Sequence, residues 1–168
     1  MDNDTQSQVG VTGIIQAMGV TIEQDTEEVI LVKMPLASNL NTDRTVYTAA
    51  LLALVEYPAT IAMERMLDHT LVNTQLVELN FRFRNQPTSD LMVEFEVQPE
   101  DFINLQNEAL TAGKSMMIME QQVLDLRREI VAVVETRMIC EPVPRSAQES
   151  PDEEGADQAS SSSSDVVS

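Results

Sequence analysis

Apolar and polar residues alternate along several stretches of the chain, and this alternation predicts β-strands. Every second residue is apolar in residues 75–84 and again in residues 91–97. A period of two predicts antiparallel strands with one face buried and one face polar. Two more strands are predicted at residues 116–126 and 130–140, and the β-branched run Val29–Val32 predicts a buried strand near the beginning.

Helical spacing of apolar residues marks two short helices. Residues 11–18 predict one that closes at Gly19. Pro99, followed by two acidic residues, predicts the start of another, which ends at Gly113. With the strands, these helices indicate an α+β domain in which an antiparallel sheet of about five strands wraps around one long central helix.

The central helix is predicted within residues 43–67, with Asp43 or Thr45 as its N-cap and a kink at Pro58. Seven of the eight residues from Ala49 to Glu56 are Ala, Leu or Val. A helix that is apolar nearly all round is predicted to be enclosed by other structure.

Glu56 is therefore a candidate functional residue, because a buried carboxylate has to be paired, protonated or directed into a cavity. In the alternative interpretation, Glu56 belongs to a thin polar stripe with Thr48 and Thr60 on a solvent-exposed helix edge. Periodicity alone favours that alternative.

Length and composition predict one folded domain with a tail. Of the 168 residues, we assign 1–9 to a flexible lead, 10–141 to the domain, and 142–168 to a disordered, acidic, Ser-rich tail. The net charge of −18 argues against a nucleic-acid partner and against an anionic membrane surface. A single cysteine, Cys140, allows no intrachain disulfide, and we expect a cytoplasmic protein without a membrane partner.

Four segments between Val11 and Cys140 resemble, in order and spacing, the hotdog-fold thioesterases of the phenylacetyl-CoA thioesterase type and their uncharacterised relatives. The segments are Gln16–Ile22, Met34–Leu36 with Asn39–Asn41, Thr45–Glu56, and Gly113–Lys114 with Asp125. The resemblance implies a hotdog fold, at least a homodimer (or a homotetramer), and an active site built between protomers. It also implies hydrolysis of an acyl thioester, with acyl-CoA as the expected substrate and no cofactor or metal.

The third segment carries the implied catalytic residues. In the family an acidic residue commonly lies nine residues after a histidine, and Glu56 lies nine residues after Tyr47. The resemblance therefore implies that Glu56 is a general base or nucleophile, and that a backbone N–H of Thr48 or Ala49 holds the oxyanion. Tyr47-Thr48-Ala49 stands where the family has His-Gly-Gly, and its side chains crowd the approach to the helix.

Two neighbouring residues have a functional and a structural interpretation. In the functional interpretation, the amide of Asn41 orients the attacking water or holds the thioester. In the structural interpretation, Asn41 simply ends a loop or caps the helix. Tyr47 either packs at a dimer interface or donates a hydrogen bond to substrate.

Basic residues elsewhere are candidates for binding the phosphates of coenzyme A. They are Arg82 and Arg84 on a polar strand face, and Lys114 beside Gly113; the alternative for the arginines is a solvated surface. His69 is interpreted as a surface residue, and the clustered methionines as core filler or as the wall of an acyl tunnel. The alternative function is a catalytically silent hotdog domain that binds an acyl ligand or a protein partner.

Overall fold

The computed structural model describes residues 13–144, which form six strands and three α-helices. Residues 1–12 and 145–168 lie outside this range, so the predicted lead and almost all of the predicted tail do too. In chain order the elements are α1 (Gly13–Ala17), β1 (Thr21–Asp25), β2 (Val29–Met34), α2 (Thr48–Met66), β3 (Val72–Phe83), β4 (Leu91–Glu96), α3 (Pro99–Ala112), β5 (Ser115–Asp125) and β6 (Ile130–Pro142). A single 3-10 turn, Ala37–Asn39, precedes α2.

The strands form one antiparallel sheet in the order β1-β2-β4-β5-β6-β3. The sheet has six strands rather than about five, because β1 pairs with β2 at one edge. All five residues of β1 are exposed, so this strand has no apolar alternation that the sequence pattern could reveal. At the opposite edge lies the 12-residue strand β3.

The central helix α2 packs against β2 and β4 through fully buried side chains such as Leu51, Leu54 and Val55. It begins at Thr48, so the predicted N-caps Asp43 and Thr45 were wrong. Those two residues instead belong to a separate hydrogen-bonded turn that runs from Asn41 to Thr45.

The edge strand β3 departs from its predicted pattern. A bulge between Leu76 and Glu78 leaves Val77 48% exposed. Phe81 is half-buried against the core, but Phe83, which stacks on Phe81, is 56% exposed. Since α2 covers β2 and β4, the inner side of the edge strand at Phe83 stays open.

The predicted helix from Pro99 is confirmed as α3, with Phe102, Leu105 and Ala109 buried. Gly113 follows it at a φ of 82° and donates its N–H to the Ala109 carbonyl at 2.8 Å. This left-handed conformation is the reason that a glycine ends the helix.

The folded domain extends slightly past the predicted boundary at residue 141. Pro142 of β6 pairs with Val72 of β3, and the N–H of Val143 donates to the carbonyl of Leu71 at 2.8 Å. The sheet therefore needs the chain up to Val143.

We predict that a protein truncated after Val143 keeps the melting temperature of the full chain within about 2 °C, because a Ser- and acid-rich tail buries little apolar surface. Truncation after Cys140 provides the control, since it removes the pairing of Glu141, Pro142 and Val143 with β3 and should lower the melting temperature by several degrees. Calorimetry of the three proteins tests this. A large loss in the longer truncated protein would show that the tail docks on the domain.

Candidate active site

Glu56 lies on an open face of α2, not in an enclosed cavity. Ala49 and Leu52 share this exposure, so the expectation that the helix is enclosed all round was wrong for the single protomer. The physical reason is that the sheet covers only one side of α2. Within the described chain the Glu56 carboxylate has no hydrogen bond or ion pair; its backbone carbonyl accepts a bond from the Thr60 hydroxyl at 3.0 Å.

The first turn of α2 offers unpaired backbone donors. Tyr47 is the N-cap, makes no side-chain capping bond, and accepts the N–H of Ala50 through its carbonyl at 2.9 Å. No partner for the N–H groups of Thr48 and Ala49 occurs in residues 13–144, and both residues are exposed. Such N–H groups, at the positive end of a helix, favour a developing negative charge.

Ala49 and Glu56 lie on the same face of the helix. Seven residues correspond to nearly two turns, which places them about 10 Å apart along the axis. The open face of α2 therefore combines oxyanion donors at its start with a free carboxylate two turns later.

Asn41 is engaged in the loop before α2. Its Nδ2 donates to the Thr45 hydroxyl at 2.8 Å, and its Oδ1 accepts the N–H groups of Asp43 and Thr45, each at 3.0 Å. These bonds hold Arg44 at a φ of 58° and fix the entry of the chain into α2. The loop-ending interpretation of Asn41 describes these contacts; one N–H of its amide is still available for a ligand.

Arg84 lies near the start of α2, whereas Arg82 does not. Arg84 lines a cleft of about 330 Å³ together with Thr45, Val46 and Phe83. Arg82 points to the outer face of the sheet, where its guanidinium lies 3.5 Å from the Glu120 carboxylate. The sequence did not associate Val46 or Phe83 with a site, because the two sides of this cleft are nearly forty residues apart.

Gly113 and Lys114 lie at the opposite end of the sheet. Lys114 binds the Glu141 carboxylate at 2.9 Å, near the end of β6, while the N–H of Arg84 donates to the Val131 carbonyl near its beginning. The ten residue steps from Val131 to Glu141 span about 30 Å of strand. Within one protomer, Gly113 and Lys114 therefore lie far from the predicted site residues at the start of α2.

The surroundings of His69 and Cys140 indicate structural rather than catalytic roles for these two residues. Nε2 of His69, past the end of α2, donates to the Met63 carbonyl at 3.2 Å and lies far from the helix start. Burial, and then the neighbouring Glu141, raise the pKa of the Cys140 thiol, which disfavours the nucleophilic thiolate.

Residues 13–144 contain neither a membrane-spanning helix nor a cluster of metal-ligating side chains. None of the helices there is long and apolar enough to cross a membrane. Within the same residues, His, Cys, Asp and Glu side chains form no group of three or more that could hold a metal ion.

Comparison with known proteins gives structural likenesses. No family model and no curated protein matches the sequence. A Pseudomonas aeruginosa protein of unknown function, described as a probable thioesterase, superposes with a TM-score of 0.72 at 26% identity, covering 77% of this chain and 87% of its own. A thioesterase from Haemophilus influenzae superposes with a TM-score of 0.59 at 10% identity, covering 79% and 85%.

Proposed function

We propose that this chain, whose fold is that of the hotdog-fold thioesterase superfamily, hydrolyses an acyl thioester, with acyl-CoA as the expected substrate. The observation that carries the proposal is the open face of α2, which presents the free Glu56 carboxylate in line with the unpaired N–H groups of Thr48 and Ala49. The probable thioesterase of similar structure from Pseudomonas aeruginosa supports the same chemistry.

We infer from the helix geometry that the base and the oxyanion donors for one substrate come from different protomers. The N–H groups of Thr48 and Ala49 point away from Glu56, so a carbonyl oxygen that they bind lies about 3 Å beyond the helix start. It then stands about 13 Å along the axis from Glu56, whose side chain reaches only about 5 Å. This gap is too long even with one bridging water, which supports a site in which Glu56 of a second protomer acts as the base.

In the proposed mechanism, water attacks the thioester carbonyl carbon while Glu56 takes its proton. The carbonyl oxygen becomes an oxyanion, which the N–H groups of Thr48 and Ala49 stabilise. When the tetrahedral intermediate collapses, the C–S bond breaks and protonated Glu56 returns the proton to the thiolate. The products are a carboxylic acid and a thiol. Direct attack of the Glu56 carboxylate on the carbonyl carbon is the alternative that the resemblance leaves open.

The edge strand β3 is the proposed dimer contact. It is long and carries exposed apolar side chains, including Val77, and such an edge invites pairing with a second copy. A twofold antiparallel pairing of β3 with itself would bring the Arg84 end of one protomer beside the Lys114 end of its partner. The roughly 30 Å between Arg84 and Lys114 then falls to two or three strand widths, about 10–15 Å.

Arg84 is proposed to bind the phosphates of coenzyme A beside the start of α2. We predict that Arg84→Ala raises KM for acyl-CoA about tenfold with little change in kcat, since one charge-assisted hydrogen bond is lost. Arg82→Ala is the matched control: its guanidinium faces Glu120 on the outer sheet face, and its KM should stay within about twofold. Steady-state kinetics of both variants decide this, and an equal effect of the two would remove Arg84 from the site.

The function itself is tested by incubating the full chain with a panel of acyl-CoA esters and monitoring hydrolysis through the release of free thiol. Turnover of at least one ester is the expected result. If no ester is turned over, the alternative is a silent domain that binds an acyl ligand or a protein partner; the side chains of Thr48 and Ala49, exposed at the helix start, favour that alternative.

A further inference from the structure

A second cavity, of about 450 Å³, lies between β4 and β5. The two strands pair only where Leu91–Glu94 face Gln122–Asp125. Beyond Glu94, β4 pairs with β2 alone. The chain then continues from the end of β4 into α3, which lies beneath the gap between β4 and β5. The divergence of the strands opens a slot in the middle of the sheet.

The slot opens on the sheet face away from α2. Its rim consists of outward-facing side chains, among them Glu94 and Glu120, while its floor consists of the inward-facing row of β5 and the buried Phe102 of α3. Half-buried Met117 and Met119 belong to that row and make the floor soft and apolar. This slot is separate from the open face of α2, and nothing in the proposed hydrolysis uses it.

Gln121 lies at the floor of the slot with an unsatisfied amide. The residue is 2% exposed, yet neither its Nε2 nor its Oε1 has a hydrogen-bond partner. Along β5 it follows Met117 and Met119 at a position where an apolar residue is expected. A buried amide without partners is costly, so an occupant that both donates and accepts a hydrogen bond would be strongly favoured there.

The charge at the slot selects against anions. Four carboxylates line it, those of Glu94, Glu96, Asp101 and Glu120, against the one guanidinium of Arg128, which already binds Glu94 at 3.0 Å. Coenzyme A and free fatty carboxylates would be repelled. A carboxylate ligand would also leave Oε1 of Gln121 without a donor.

We propose that the slot binds a neutral ligand with an apolar body and a carboxamide group. The ligand's amide N–H donates to Oε1 of Gln121, and its carbonyl accepts from Nε2. Its apolar body packs on Met117, Met119 and Phe102. The volume lies within the range of sites for small molecules.

The probe for the experiment is hexanamide, with hexanoate as its anionic match, titrated into the full chain labelled with ¹³C at the methionine methyl groups. Hexanamide is expected to shift the Met117 and Met119 methyl signals saturably, and hexanoate to bind at least about tenfold more weakly. Gln121→Met keeps the length and lack of branching of the side chain. It should fold with an unchanged or higher melting temperature and lose about tenfold in affinity for hexanamide.

Two controls separate this site from its surroundings. Gln122→Met changes an exposed amide on the rim and should leave the affinity for hexanamide within about twofold. Glu56→Gln should also leave it unchanged, so the slot and the hydrolysis fail or succeed independently.

The proposal is overturned if hexanamide shifts neither methyl signal at millimolar concentration, if Gln121→Met binds it equally well, or if hexanoate binds as tightly. It is also overturned if Gln121 is satisfied internally. Thr136, whose buried hydroxyl likewise has no partner, lies one strand away on the same face. Thr136→Val would then move the side-chain amide signals of Gln121 in the absence of probe.

Discussion

Glu56→Gln is expected to lower kcat for acyl-CoA hydrolysis by about 10²–10⁴-fold, the usual contribution of a general base. The fold should be unaffected, because the carboxylate is exposed and has no partner among the described residues. The melting temperature should therefore stay within about 2 °C of the parent protein. Stopped-flow or steady-state thiol release, together with calorimetry of the same samples, measures both effects.

Glu64→Gln provides the matched control for this prediction. Glu64 is an exposed glutamate on the same helix, two turns later, with only a distant contact of 3.7 Å to His69. Its replacement removes the same charge and should leave kcat within about twofold. Full turnover in a stable Glu56→Gln protein would eliminate the proposed mechanism.

Val77→Lys is expected to convert the proposed homodimer into monomers and to abolish turnover with it. Val77 is 48% exposed at the bulge of the edge strand β3, so a lysine there costs the protomer little. In the dimer it would place two like charges close to the twofold axis and block strand pairing. Sedimentation at micromolar concentration shows the change in mass, and thiol release shows the loss of activity.

Ile22→Lys tests whether the effect belongs to β3 alone. Ile22 is 43% exposed in the other edge strand, β1, so it matches Val77 in exposure and in chemical character. This variant should remain a dimer with normal activity. A parent chain that sediments as a monomer would refute the shared site, and so would a monomeric Val77→Lys protein that still turns over substrate.

The predicted α+β class and hotdog fold are confirmed. Local periodicity was sufficient to predict β4, β5, β6 and α3. Each of these elements buries one face, so buried and exposed residues recur at regular spacing along its sequence. Strand β1 could not be found in this way, since it is exposed on both faces and exists only through its pairing with β2.

The candidate site was predictable only in part. The sequence could single out Glu56 and the helix start through a resemblance in spacing, and those assignments stay predictions. No local pattern indicates that Arg84 lies beside Val46, or that Lys114 lies a sheet length away from both. Such proximity depends on the order of strands in the sheet, which local pattern does not encode.

Local pattern is sufficient to tell which residues face inward along most elements, and that one carboxylate interrupts the apolar stretch of the central helix. Which of those faces are covered depends on tertiary contacts. Glu56 is open because the sheet encloses only one side of α2, and the Gln121 amide is buried because α3 packs against the inward side of β5. A face is covered by contacts between segments that are distant in sequence. The periodicity of an element therefore indicates which way a side chain points, but not what surrounds it.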